Sequence, residues 1–385
     1  MKKHLLILFL SLLTLVSCSD DNNQASGQKT GTLKGKVTTV NTHKPVGGAL
    51  VFTFDDRNEI YFTRTNAMGE FEFRAPIGNR ELHIQTGDGS NFRTKFDVAV
   101  EENQTQVLEE ASLRLDQTAR MAYVGGTYDN IEDIITDLGY TVEQLTFNQL
   151  NDYTIVSQYD IIFLNCGSIP STQSISGHTN ITNNLSQFVT NGGSLYASDW
   201  AVAYLVGGTN KTTQCDAAGG FIADATLCSI NNGVMGTLNG FITNTVLANA
   251  TGITTLDIDY DLGQWQKINS VDESFWEVLV RETGTNQPLM IRTNHYTNPT
   301  VVGDRVGNSE NSDWVTICHY DAESDTYINI TIETDEWPAH EAHGDSLGSC
   351  SGNNMSGTIY YTTFHNHANL DNGSQSILEH VILNL

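Results

Sequence analysis

The chain has 385 residues, 39% of them hydrophobic and 17% charged, with a formal net charge of −26 at pH 7. That length accommodates two or three domains with real cores, and so negative a surface repels phosphate backbones, which excludes nucleic acid as a partner. The acidic residues are scattered, and no D-x-D-x-D-G loop of the EF-hand kind occurs.

The chain opens MKKHLLILFLSLLTLVSC: Lys2 and Lys3, an apolar stretch starting at Leu5, then small residues before Cys18. This is the order of a secretory signal, and its apolar stretch is too short for a hydrocarbon layer that needs about 20 residues. Leu15-Val16-Ser17-Cys18 resembles the lipobox of bacterial lipoproteins, which implies a signal peptide over 1–17 and a lipid on Cys18 holding the chain to a membrane. Residues 18–30 are polar and without periodicity, as expected of a disordered tether. Their acids close behind Cys18 resemble the sorting signal of surface-exposed lipoproteins, which implies an outer-membrane protein facing outward. An exported chain meets oxidising conditions. Cys215 and Cys228 flank one loop-rich stretch and Cys318 and Cys350 another, so these two disulfides are expected, with Cys166 free; spacing alone does not fix connectivity.

Over 31–115 short runs alternate apolar and polar residues between Gly, Pro and Asn: GTLKGKVTTV, GGALVFTFDD, IYFTRTNAMGEFEFRAP, RELHIQT, FRTKFDVAV. Period-two alternation punctuated in this way predicts an antiparallel β-sandwich. Gly35, Val37, Pro45, Gly48, Ala49 and Val51, followed by Thr65, Gly69, Phe71 and Phe73, resemble the pattern of carboxypeptidase regulatory-like domains, which implies a transthyretin-like sandwich serving as a spacer. No H-x-x-E zinc pair lies in the segment.

After residue 116 strands and helices alternate. ARMAYVGG, YTVEQL, YDIIFLNCG and SLYASDW predict strands; NIEDIITDLGY and ITNNLSQFVTNGG predict helices. Apolar strands separated by helices argue for a mainly parallel sheet covered on both faces, with any site along the edge of strand C-termini. Residues 206–300 look like an insertion, with TLNGFITNTVLANATG as one or two short helices before three strands. WVTICHY predicts a strand, followed by a polar loop, the strand GTIYYTTFHNH and a last helix carrying Ile377, Val381 and Leu385 on one face.

Three local features in 119–385 resemble the class I glutamine amidotransferase-like fold. YDIIFLNCGS stands where that family has its oxyanion strand, GGSLYASDWAVA where it has the nucleophile elbow, and TTFHNH where it has the catalytic histidine. The resemblance implies a flavodoxin-like three-layer domain in which Asp199 takes the place of the nucleophilic Cys and His365 that of the catalytic His. His367 falls where the acid belongs, and Ala197 and Ala201 replace the elbow glycines. An aspartate is a poor acyl-transfer nucleophile, and alanines relax the strained turn, so glutamine hydrolysis is not expected. Cys166, ending the preceding strand, is a second nucleophile candidate, although a free Cys usually fills a core.

Asp199, His365 and His367 also form a candidate metal set, two imidazoles and a carboxylate suiting zinc or non-haem iron. His340, Glu341, His343 and Asp345 add ligands in what reads as a loop, since Pro338 and Gly344 argue against a helix. Trp200, Trp265, Trp276, Trp314 and Trp337 are candidate sugar platforms, although Trp is most often core. The expectation is an N-terminal β-sandwich plus a C-terminal α/β domain, acting without catalysis to bind or adhere to a glycan or protein at the cell envelope. No cofactor is expected beyond the metal left open above. The alternative is a hydrolase using Cys166 or Asp199 with His365.

Overall fold

The computed structural model describes residues 28–208, 219–222, 227, 231–298, 300, 313–321, 326–348, 350, 356–366 and 372–385. Cys18, Cys215, Cys228 and His367 lie outside the described residues. Among the described residues no helix is long and apolar enough to cross a membrane.

The N-terminal alternation becomes strands because each run has one face to bury. In Glu70–Pro76 the residues Phe71, Phe73 and Ala75 are buried while Glu70, Glu72 and Arg74 face solvent. This strand, Thr30–Lys36 and Thr105–Val107 form a three-stranded sheet. A six-stranded sheet runs Thr38–Thr39, Arg114–Gln117, Phe92–Val100, Gly78–Gln85, Leu50–Phe54, Ile60–Arg64. Leu33, Val51, Phe71, Phe73, Leu82 and Ile84 are buried in a common core.

The second region is built on a nine-stranded sheet. Its strands are β1 (Met121–Val124), β2 (Glu143–Leu145), β3 (Ile161–Leu164), β4 (Ser194–Ser198), β5 (Gly236–Ile242), β6 (Thr255–Tyr260), β7 (Glu277–Glu282), β8 (Pro288–Thr293) and β9 (Ile359–Thr362). Their spatial order is β2-β1-β3-β4-β9-β8-β7-β5-β6. The first five are mutually parallel and the rest antiparallel. The sheet is therefore mixed, not mainly parallel. In β6 the burial alternates strictly, the signature of a strand covered on one face; in β3 every residue is buried. Ile161 and Phe163 enter one core with α1 (Ile131–Asp137) and the last helix, Asn372–Leu383, whereas Ile162 and Leu164 enter another with α2 (Thr179–Thr190).

Two segments depart from the sequence reading. TLNGFI forms β5, and only Thr245–Thr251 of the predicted helical stretch is helical (α3). Gly and Asn are weak helix formers, and pairing on both sides of β5 settles the outcome. The predicted polar loop after WVTICHY contains the strand Thr326–Glu333 and the helix α4 (Trp337–His343). Pro338 occupies the first turn of α4, where a missing N–H costs nothing, and Gly344 closes it at φ +105°. Beyond the two sheets of the sandwich and the central nine-stranded sheet, Trp314–Asp321, Thr326–Glu333 and Ser346–Leu347 make a separate three-stranded sheet that forms the third body (the third sheet), with Cys318 and Cys350 joined in a disulfide.

Both regions grip the sandwich. Phe92 lies 5.0 Å from Tyr140, whose hydroxyl donates to the Leu115 carbonyl at 2.9 Å. A Cβ on Gly47 would stand 1.9 Å from the Ala250 carbonyl oxygen of α3, so glycine permits this close approach. From the third sheet Ile317, Ile328, Ile330 and Ile332 pack on Leu50, Phe52 and Ile60. The Gln85 side-chain amide, which donates through Nε2 to the Asn329 carbonyl and accepts the Thr331 N–H through Oε1, fixes that contact.

Candidate functional site

Four residues that follow parallel strands converge at one edge of the sheet: Asp129 after β1, Cys166 after β3, Asp199 after β4 and His365 after β9. This is the edge at which parallel strands present their C-termini.

Ser198 ends β4 in an extended conformation and Asp199 turns to φ +43° before the chain enters a helical turn. A strained strand–turn–helix geometry is thus present at Asp199 itself, which corrects the expectation that flanking alanines relax the turn. Ala197 and Ala201 are buried and their Cβ atoms fit. Aspartate is among the few residues that tolerate left-handed backbone.

The Asp199 carboxylate is buried, accepting the Gln266 N–H at 2.6 Å through Oδ1 and the Cys166 thiol at 3.4 Å through Oδ2. His365 Nδ1 stands 3.8 Å from the same Oδ2, beyond hydrogen-bonding reach. Burial pushes the Asp199 carboxyl up to about 7, against the partial opposition of the Gln266 N–H. Asp129 is also pushed up to about 7 by burial, although it accepts from the Ser198 hydroxyl and from Asn366 N–H. Ser198 Oγ in turn accepts the Cys166 N–H at 2.9 Å. Burial, then the neighbouring Asp199 charge, hold the Cys166 thiol well above its ordinary value. The thiol is fully buried, so it stays protonated in the physiological range and lacks thiolate reactivity.

Cys166, Asp199 and His365 are therefore brought together, with one ligand-capable atom each within 4.8 Å of the others. Asp129 was not singled out from the sequence. Its signal was positional: it follows the Gly125-Gly126 strand exit, where a Cβ on Gly126 would meet the Cys166 carbonyl oxygen at 2.1 Å. Gln266 carried no signal at all, since it arrives from the elaboration between β4 and β9. The arrangement can hold protons on two buried carboxyls, but none of these groups is an exposed nucleophile.

Trp200, Trp265 and Trp276 are buried, which removes them as sugar platforms; Trp314 lies beneath the Arg93 and Lys95 cations at 4.3 and 5.0 Å. A separate cavity of about 660 Å³ opens near the other end of β4 and β9, where sandwich, central sheet and third sheet meet. Arg64, Asp88, Arg292, Asn294, Tyr327 and Asn329 contribute to its walls. Tyr327 is 67% exposed there and its ring lies 5.0 Å from that of Tyr320.

No family model matches the chain, and no curated protein matches it. Among solved structures it is similar to a Bacteroides uniformis protein described as carbohydrate binding, at 13% identity and a TM-score of 0.18, over 24% of this chain. The chain spans 44% of that protein's length. It is also similar to a ThuA-like protein of Bacteroides uniformis, at 10% identity and a TM-score of 0.33, over 68% of this chain and 88% of that one. Likeness this remote transfers neither ligand nor reaction.

Proposed function

We propose that the protein is a non-catalytic glycan-binding lipoprotein of the cell envelope, anchored through Cys18, and that the 660 Å³ cleft receives the sugar. The observation that carries this reading is the exposed Tyr327 ring standing in a cleft of ligand size with both polar and apolar walls. An aromatic face covers the apolar side of a sugar ring while amide and guanidinium groups meet its hydroxyls. With 19 basic residues against 45 acidic ones, the placement at this cleft of Arg64 and of Arg292, itself paired with Glu277 at 2.7 Å, favours glycans bearing acidic groups. In this reading the central domain is a flavodoxin-like three-layer unit whose former reaction edge has become structural.

Calorimetric titration of the full chain against neutral and uronic-acid-containing oligosaccharides tests the proposal. Binding is expected for the acidic series, weakened at least about tenfold in Tyr327→Ala, equivalent to about 1.4 kcal/mol. Binding that ignores Tyr327→Ala, or none to either series, overturns the reading.

One observation favours a hydrolase instead: Asp199 keeps the left-handed conformation of a nucleophile tip with His365 3.8 Å away. Thiol-reactive and serine-reactive probes decide this. A buried, protonated Cys166 is expected to label no faster than it does on unfolding; rapid selective labelling lost in His365→Ala would establish the enzyme.

A further inference from the structure

The histidine-rich segment that reads as a loop is assembled by α4 into a site on the third sheet that shares no residue with the Asp199 cluster. His319 comes from the strand Trp314–Asp321, His340 from α4 and Asp345 from the residues just beyond it. Asp345 Oδ2 lies 2.7 Å from His319 Nδ1 and 2.8 Å from His340 Nδ1. All three side chains are at most 3% exposed.

The surroundings hold these groups in place. Asp345 Oδ1 accepts the Tyr320 N–H at 3.2 Å, which fixes the carboxylate. Phe54 of the sandwich meets both imidazoles edge-on, at 4.9 Å from His340 and 5.8 Å from His319. The Cys318–Cys350 disulfide pins the chain beside His319. Converging nitrogen and oxygen donors, a hydrogen bond orienting one ligand, and an apolar wall are the parts of a protein metal centre.

We propose that His319, His340 and Asp345 bind a divalent transition metal, with zinc the ion this donor set favours. One atom from each lies within 4.8 Å of the others; Asp345 Oδ2 is in hydrogen-bonding contact with both Nδ1 atoms, so an ion takes the place of the Nδ1 protons and the three atoms part to admit it. Two imidazoles and a carboxylate are the donors of borderline ions and disfavour calcium or magnesium, which select oxygen. Among the described residues the triad supplies three donors, one short of a tetrahedral shell. Bound metal would tie the third sheet to α4 beneath the sandwich, a structural task distinct from glycan binding in the cleft.

The test uses the full chain without an affinity tag, stripped by chelator, loaded with zinc and desalted. Elemental analysis is expected to find about one equivalent, falling below about a tenth in His340→Ala and in Asp345→Asn, with circular dichroism confirming that each variant is folded. His83→Ala, in the neighbouring Glu81, His83 and Glu336 group, is expected to retain the metal. Cobalt loading of the unmodified protein gives a reading that needs no variant: visible bands of a low-coordinate nitrogen–oxygen site are expected. Less than about a tenth of an equivalent in the unmodified protein, zinc retained in both triad variants, or only the spectrum of the aqueous ion overturns the proposal and leaves a hydrogen-bonded His–Asp–His triad.

Discussion

Replacing Asp199 by Asn is expected to flatten the pH dependence of stability, leaving the variant more stable relative to the parent at pH 8 than at pH 4. The native fold raises this carboxyl from its ordinary 3.8 to about 7, chiefly by burial. Between those values the folded chain binds the proton more tightly than the unfolded chain. The stabilisation from the neutral acid is therefore complete below about pH 4 and is lost as pH rises through about 7. A shift of that size corresponds to an order of 4 kcal/mol at one site. Asn cannot ionise, retains an acceptor for the Gln266 N–H, and tolerates the left-handed backbone at φ +43°.

Asp129 shifts in the same direction and each charge disfavours the other, so Asp129→Asn and Asp199→Asn are not additive. Urea unfolding of parent and variant at pH 4, 6 and 8 provides the measurement. Equal slopes in the two proteins would show that Asp199 is not held neutral by the fold. Asp199→Val separates charge from backbone: a β-branched residue at this φ is expected to destabilise at every pH.

Phe92→Ala is expected to cost about 3–5 kcal/mol and to lower one shared unfolding transition instead of releasing the sandwich alone. Phe92 is fully buried, its ring meets Tyr140 from the region of the nine-stranded sheet, and the core around it runs from Leu33 in the sandwich to Leu385 in the last helix's tail. Further ties cross the same junction, among them the Asn91 amide donating to the Leu385 carbonyl at 2.8 Å and the Lys44–Glu379 pair at 2.8 Å. Differential scanning calorimetry tests the coupling. Two resolved transitions in the parent, with only one displaced by Phe92→Ala, would show that sandwich and sheet are independent units joined by a linker.

Legibility followed the range of the interactions concerned. IIFL was readable as a strand buried on both faces because four adjacent apolar residues admit few other fates, and EFEFRAP as a half-buried strand because its period is two. The pairing of Asp199 with His365 was implied by the resemblance of their motifs to the amidotransferase-like fold, and Cys166 could be added because it ends a strand on the same edge. Asp129 was not legible, since an aspartate after a Gly-Gly turn has an ordinary role as a turn former. α4 was misread because Pro338 and Gly344 break helices from the inside but start and stop them at the ends; only the position of the helix relative to them decides which.

The amino-acid order by itself determined the chemistry on offer: alternating and continuous apolar runs, a histidine-rich segment, scattered acids, and a strand end carrying an aspartate. Each of these depends on near neighbours in the chain. The tertiary structure decided which of them share a volume. It docked the sandwich against both the central sheet and the third sheet, set Asp199 beside Asp129 and Cys166 away from water, gathered His319 and His340 onto Asp345, and exposed Tyr327 in a cleft none of whose walls is complete alone. Burial and approach across distant segments set the protonation of the carboxyls and the shape of the cleft, and these are properties of the packed molecule.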